Sequence, residues 1–308
     1  MQLYHFPPSL GSQKARLALV EKGVFWQGIS VDVGPSHENW EPWYIRLNPT
    51  GEVPTLVHGD AVLIDGKQIL EYVDGYFEGP PLTPIAQGEE EAMDYWIDRA
   101  RSYPLRELSY VVAPGLFAWL SGDYKRDRMR KLLQHERAHP ELSERYWEKA
   151  RDLAQLARQV HDPRTSRLLL ERLSYLLDEL EMHLATNGTE FIASDTYSLA
   201  DVQWTVFLAR LEMIGLSAMW KRGRAHINAY YHRVASRPSF HQADIWYYPQ
   251  RQVLAKIMAP VVLPKVVLGA VVTGAAVGVA YMIYKRRQDA RREAERQTLA
   301  RRLMSNLQ

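Results

Sequence analysis

The chain has 308 residues, 38 of them Lys or Arg and 36 Asp or Glu, so its formal net charge is only +2. With 46% hydrophobic and 24% charged residues, the composition is that of an ordinary globular protein and excludes a disordered or collagen-like chain. The absence of cysteine excludes a disulfide scaffold, a zinc finger, a thiol nucleophile and a thioredoxin-type redox pair.

Residues 1–78 predict a strand–helix–strand unit, then a short helix, a hairpin and a further helix. Leu3 to Phe6 is an apolar strand, broken by Pro7-Pro8. Ser12 is placed to cap a helix running through Gln13–Val20, and Gly23 ends it. Ile29, Val31 and Val33 alternate along a strand from Trp26 to Val33. His37 to Leu47 reads as a short Trp-rich helix. Asn48 to Leu56 leads into a strand at Thr55–Val57, His58-Gly59-Asp60 turns it back into Ala61–Ile64, and Asp65-Gly66 opens a helix reaching Phe77.

A Pro-rich linker, 79–88, precedes an expected all-helical domain over 89–240. Pro104 and Pro114 break its first helix. Within an insertion at about 121–162, Tyr124 to Val160 carries ten Lys/Arg and six Asp/Glu with irregular apolar spacing, which reads as an added, mostly exposed helical pair. His135 and His139 have the i,i+4 spacing of metal ligands, but no third ligand is evident, so they read as surface histidines and no metal is expected. Asp162-Pro163 starts a Leu-rich helix that Asn187-Gly188 ends. Ser198 with Asp201 forms a variant capping box, which makes Asp201 a structural residue.

The far C-terminal part predicts a membrane attachment. Val266 to Tyr284 is a 19-residue run without a charge. As a helix it would reach ~28 Å, close to the ~30 Å hydrocarbon core. Lys265 and Lys285-Arg286-Arg287 bound it, and an anchor over 265–285 followed by a basic tail, 286–308, is expected. From Lys285 onward there are eight basic and three acidic residues, +5, which leaves −3 for the preceding 284 residues. Ala270, Gly274 and Gly278 recur every four residues, a small-residue ridge suited to self-association in a membrane. Before the anchor, 241–264 is apolar but interrupted by Pro249, Arg251, Lys256, Pro260 and Pro264, which favours an interfacial position over a span. The start of the chain has no signal-peptide pattern, so a tail anchor inserted after synthesis is expected, with the body up to about residue 260 in the cytosol. The Ala/Gly/Val-rich span with basic residues after it suits the mitochondrial outer membrane, whose lipids would be its partners. No nucleic-acid partner is expected.

Pro7-Pro8-Ser9, Gly51-Glu52-Val53-Pro54-Thr55-Leu56 and the helical remainder resemble the glutathione transferase superfamily. The resemblance implies a glutathione transferase-like α+β/α fold: a thioredoxin-like N-terminal domain and an all-helical C-terminal domain, here with a single C-terminal transmembrane helix. It implies glutathione as ligand, with a cis bond between Val53 and Pro54 whose backbone would hold the cysteinyl part. Spacing back from Arg16, Ser9 matches the hydroxyl that favours the glutathione thiolate, with Ser12 as the alternative. The family's Glu-Ser or Gln-Ser pair reads Asp65-Gly66 here: a carboxylate that could bind an amine remains, and the hydroxyl is gone. Ser36 to Leu56, Ser12 to Gly23, the long insertion and the C-terminal anchor together are similar to the ganglioside-induced differentiation-associated protein 1 family. That narrower resemblance implies a tail-anchored regulator of mitochondrial fission and network dynamics with little or no catalysis; peroxisomal membranes and a homodimer are compatible with it. The alternative is a membrane-anchored glutathione transferase that uses Ser9 to conjugate hydrophobic electrophiles.

Overall fold

A four-stranded sheet in the order β2-β1-β3-β4 forms the base of the N-terminal domain. β1 (Gln2–His5) pairs in parallel with β2 (Gln27–Ser30) and antiparallel with β3 (Thr55–His58), which turns back into β4 (Ala61–Leu63). The parallel pair needs a crossover, and α1 (Leu10–Glu21) supplies it. This thioredoxin-like arrangement is the one expected. The computed structural model describes residues 1–33, 36–112 and 124–247, all within the first of the chain's two units, Met1–Leu254. The anchor over 265–285, the ridge Ala270, Gly274 and Gly278, the interfacial segment from residue 248 onward, and Pro114 lie outside the described residues. No helix among the described residues is long and apolar enough to cross a membrane.

α1 is buried on most of its circumference, including Ser12, Gln13, Ala15, Arg16, Leu17, Ala18 and Leu19. One face meets α3 (Gly66–Tyr76) and another meets α9 (Leu199–Met213) of the helical domain, so the helix is shared by both domains. That double burial explains why its sequence shows no clean amphipathic stripe. Between β2 and β3 the expected single helix divides into a 3₁₀ turn, Glu38–Trp40, and α2 (Pro42–Leu47), because Pro42 restarts the chain at a first helical position.

The linker passes under α1. Gly79 has φ +129°, and a Cβ there would sit 2.4 Å from the Lys22 carbonyl oxygen, so both its conformation and its surroundings require glycine. Lys22 Nζ pairs with Asp74 Oδ1 at 3.0 Å, and the same oxygen accepts the Leu82 N–H at 2.8 Å. The helical domain follows with α4 (Gln87–Arg101) and, after the break at Pro104, α5 (Leu105–Val112). α6 (Tyr124–Ala138), α7 (Ser143–His161) and α8 (Pro163–Thr186) come next, then α9 and three shorter helices, α10 (Ala218–Lys221), α11 (Ala225–Ala235) and α12 (Pro238–Gln242). Asp162 caps α8, accepting the Arg164 N–H at 2.9 Å. α9 is the central core helix, buried all round, with its Ser198–Asp201 capping box in place. Asp201 also accepts from Ile192 N–H (3.1 Å) and Tyr230 O–H (2.8 Å), which confirms a structural role.

The charged insertion departs from the expected exposed pair. α6 and α7 pack on each other and place Leu132, Tyr146, Ala150 and Leu153 against Trp40 and Ile45 of the N-terminal domain, a second hydrophobic core. Tyr146, Ala150 and Leu153 follow helical i, i+4, i+7 spacing, so a narrow apolar stripe runs beneath the charges. Around it Arg46 pairs with Glu141 (2.6 Å), Lys149 with Glu52 (2.9 Å) and Lys131 with Glu41. His135 is half-buried here rather than on the surface; it stacks on Tyr146 and lies 3.6 Å from Glu41, while His139 faces Glu141 at 3.4 Å. Among the described residues no group of three His, Asp or Glu could hold a metal ion.

Candidate functional site

The loop between β1 and α1 brings the candidate residues together. Ser9, not Ser12, is the N-cap of α1, and its Oγ accepts the Ser12 N–H at 3.3 Å. Ser12 is buried inside the first turn, where its hydroxyl accepts the Phe6 N–H at 3.2 Å and holds the loop. Ser9 thus takes the capping role expected of Ser12. The half-buried Ser9 hydroxyl also donates to the Val53 carbonyl at 3.3 Å, across 44 residues of sequence. The bond to the Val53 carbonyl is at the long end for a hydroxyl donor, so an incoming acceptor can take that carbonyl's place while the Ser12 N–H still donates to Ser9.

Val53-Pro54 is cis, as expected. The turn before it is held by buried polar groups: Asn39 donates to the Gly51 carbonyl (2.7 Å), and Tyr44 and Asn48 both donate to the Glu52 carbonyl (2.7 and 2.9 Å). Those bonds satisfy residues 51 and 52. The Val53 N–H, by contrast, makes no hydrogen bond among the described residues, and the Val53 carbonyl has only the Ser9 hydroxyl. Val53 therefore presents a peptide donor and acceptor beside a helix N-terminus.

The loop carbonyls before Ser9 are clamped as well. Arg16 donates to the Pro7 carbonyl at 3.0 Å, and Gln13 and Arg210 donate to the Pro8 carbonyl, Gln13 at 3.2 Å. Arg16 also reaches the carbonyls of Ala243 (2.8 Å) and Asp244 (3.0 Å), and Gln13 accepts the Trp246 N–H at 2.6 Å. His5 accepts from Arg16 through Nδ1 at 3.3 Å; burial, then the Arg16 charge, lower its pKa to about 4, so it stays neutral in this role. Burial also brings Arg16 down to about 10, still a cation at neutral pH.

Asp65 lies at the start of α3, where its Oδ1 accepts from Lys67 N–H (2.9 Å) and Gln68 N–H (3.0 Å) as the N-cap. Its other oxygen faces Arg101 at 4.0 Å. Two adjoining cavities connect these elements. The smaller, of 260 Å³, lies between the starts of α1 and α3, against Gly11, Gly66, Lys67 and Leu70. The larger, of 520 Å³, extends into the helical domain against Leu10, Tyr103, Leu105, Leu156 and Phe207. Lys14, Arg101 and Gln203 line both.

Ser9, Val53 and Pro54 thus meet at the start of α1, with Ser12 holding the loop from within, while Asp65 caps α3. Gly11 and Gly66, next to these elements, line the smaller cavity, and none of Ser9, Val53, Pro54 and Asp65 lines either one. Sequence reasoning missed Gly11, Gln13, Lys14, Arg101 and Arg210. Only Gly11 carried a local signal, a glycine inside a helical run next to the candidate hydroxyl.

The sequence pattern of "Glutathione S-transferase, N-terminal domain" matches residues 8–75, and that of "Glutathione S-transferase, C-terminal domain" matches residues 148–233. The chain is 34% identical to tetrachloro-p-hydroquinone reductive dehalogenase of Sphingobium chlorophenolicum, over 80% of this chain and 96% of that protein. It is 29% identical to ganglioside-induced differentiation-associated protein 1-like 1 of Homo sapiens, over 77% of this chain and 72% of that protein. Among solved structures, β-etherase LigF from Sphingobium sp. strain SYK-6 superposes with a TM-score of 0.62 at 22% identity, covering 79% of this chain and 97% of that one, a likeness of fold.

Proposed function

Because the chain belongs to the glutathione transferase superfamily, with ganglioside-induced differentiation-associated protein 1-like proteins among its relatives, we propose that its cleft binds glutathione and uses Ser9 to hold the thiol as thiolate. The observation that carries this is the pairing of the Ser9 hydroxyl with Val53, whose N–H is open for a ligand peptide. The cysteinyl backbone of glutathione would bond to Val53, and the Ser9 hydroxyl would turn from the Val53 carbonyl to the sulfur. A hydroxyl donor at a positive helix end stabilises thiolate over thiol, lowering a pKa of ~8.5. The γ-glutamyl end would lie in the smaller cavity beside Asp65, Gly66 and Arg101.

The chain has no cysteine, so the reacting sulfur would be that of glutathione. The thiol proton passes to water, the sulfur forms a bond to an electrophilic carbon in the larger cavity, and the leaving group departs with the electron pair of the bond it breaks. The test is conjugation of chlorodinitrobenzene by the full chain and by Ser9→Ala. Loss of one donor to the developing charge is expected to lower kcat roughly 100-fold or more while glutathione is still retained; equal turnover by the two would contradict it.

A second reading, favoured by the 29% identity to the human relative and by the charge-free run Val266–Tyr284, is a tail-anchored protein of the mitochondrial outer membrane that regulates fission and network dynamics. A homodimer is the assembly proposed with it. Its test is the location of the full chain against one lacking residues 261–308. Loss of mitochondrial targeting on deletion is expected, and retention would contradict it. The two readings part on catalysis: this one expects little or none, so robust turnover that Ser9→Ala abolishes would remove it as stated.

A further inference from the structure

Residues 36–52 of the N-terminal domain lead into Val53, and the α6–α7 insertion holds them along their length. Lys131 donates to the Ser36 carbonyl at 2.5 Å and pairs with Glu41, and the Tyr146 hydroxyl donates to the Trp40 carbonyl at 3.3 Å. Further on, Arg46 pairs with Glu141 and Lys149 with Glu52. α7 serves two places at once. Tyr146, Lys149, Ala150 and Leu153 meet that stretch, whereas Asp152, Gln155, Leu156 and Gln159 line the larger cavity. Each set recurs at helical spacing, so the two sets lie on two faces of one helix.

Lys149 joins these faces. Its side chain is only 10% exposed, and its ammonium lies 2.9 Å from Glu52 Oε1 and 3.8 Å from Asp152 Oδ2. Glu52 directly precedes Val53, and its carbonyl is already held by Tyr44 and Asn48. Asp152 belongs to the cavity wall. The two carboxylates are 55% and 62% exposed, so water and ligands reach them, while the ammonium between them depends on them for its compensation. What one carboxylate takes from the shared ammonium, the other loses. That is a coupling between two places, and such a coupling is reciprocal.

We propose that Lys149 is a positioning residue for glutathione, which fixes the Glu52-Val53 turn and ties it, through Asp152, to the wall of the larger cavity. The inference rests on the preceding proposal that Val53 docks glutathione. With Lys149 on its carboxylate, Glu52 is held by its side chain as well as by its carbonyl. A reactant whose hydrogen-bond donor takes Asp152 leaves the ammonium to Glu52. Glutathione and that reactant then favour one another's binding.

The test is calorimetric titration of glutathione into the full chain and its variants. Lys149→Met is expected to weaken binding roughly threefold, the scale of one partly exposed ion pair. The glutathione KM with chlorodinitrobenzene should rise to match, with kcat at saturating glutathione left in place. Glu52→Gln removes the same pair from its exposed side, where folding is not at stake, and should weaken binding equally. Asp152→Asn should tighten binding in the unaltered chain and change nothing in Lys149→Met. Unchanged affinity in both Lys149→Met and Glu52→Gln, a loss of kcat in place of the KM effect, or an Asp152→Asn effect that persists without Lys149 would overturn the proposal. A chain that binds no glutathione would remove the preceding proposal and this one together; binding that these variants leave unaltered would remove this one alone.

Discussion

Gly11 decides how closely the first turn of α1 approaches the Val53-Pro54 turn. A Cβ at this position would lie 2.8 Å from Pro54 Cδ and 3.3 Å from the Val53 carbonyl oxygen, and neither atom belongs to a flexible side-chain end. Gly11→Ala should therefore push the two elements apart, costing about 1–3 kcal/mol by denaturant unfolding and weakening retention on immobilised glutathione. Gly75, exposed near the end of α3 with nothing within 4 Å of its Cβ position, is the control: Gly75→Ala should gain up to about 1 kcal/mol. His5 gives a pH dependence. Its pKa falls from 6.5 to about 4 on folding, so the unfolded chain binds the proton more readily. The stabilisation is complete above pH 6.5 and is lost as pH falls toward about 4. Comparing unfolding midpoints at both ends of that window, His5→Asn should lose less stability on acidification than the unaltered chain. At this scale Ser9, Val53 and Pro54 were legible because the chain around them is distinctive in a few consecutive residues. The choice between Ser9 and Ser12 was not, since either serine can cap a helix and packing against Pro54 fixes the first turn. Lys14 and Arg210 were invisible, because their meaning comes from neighbours far away in sequence.

The α6–α7 insertion supports the site at one remove. Its stripe of Leu132, Tyr146, Ala150 and Leu153 packs on Trp40 and Ile45. Those two in turn close on Gly51, where a Cβ would meet Ile45 Cδ1 at 3.0 Å and Trp40 Cδ1 at 3.1 Å, two residues before Val53. Leu132→Ala should cost about 2–5 kcal/mol and weaken glutathione retention. Leu168→Ala, on the exposed face of α8, should do neither. The ion pairs around the insertion add little by comparison: Glu52 and Glu141 each have 55% of their side chains exposed, and such pairs are worth ~0–1 kcal/mol. Charge density hid this element in the sequence, where ten basic and six acidic residues masked a stripe only one residue wide per turn. The β-strands and the Ser198–Asp201 cap were easier to read, because their signals are local.

Across the molecule, α1 joins three regions. It packs on the sheet domain through α3, on the helical domain through α9, and on residues 243–246 through Arg16 and Gln13. The segment leading toward the expected anchor thus touches the same two side chains that hold the carbonyls before Ser9. A chain ending at residue 242 would strip Arg16 of two carbonyl acceptors and Gln13 of the Trp246 amide. Each lost charged hydrogen bond is worth about 1.5–3 kcal/mol, so that chain should unfold at clearly lower denaturant than one ending at residue 254. The two-domain plan was legible from the Pro-rich linker and the change to helical composition. The sharing of α1 between the domains was not, because a helix buried on several sides loses the periodicity that would show it. Both domains and this last segment converge on the loop before Ser9, through Arg210, Gln13 and Arg16. The most direct test is the pH titration of the glutathione thiol in the complex, followed by ultraviolet thiolate absorbance in the unaltered chain and in Ser9→Ala. A midpoint well below the ~8.5 of a free thiol, returning toward it in Ser9→Ala with glutathione still bound, is expected; an unshifted midpoint, or one that Ser9→Ala leaves in place, would contradict the role given to Ser9.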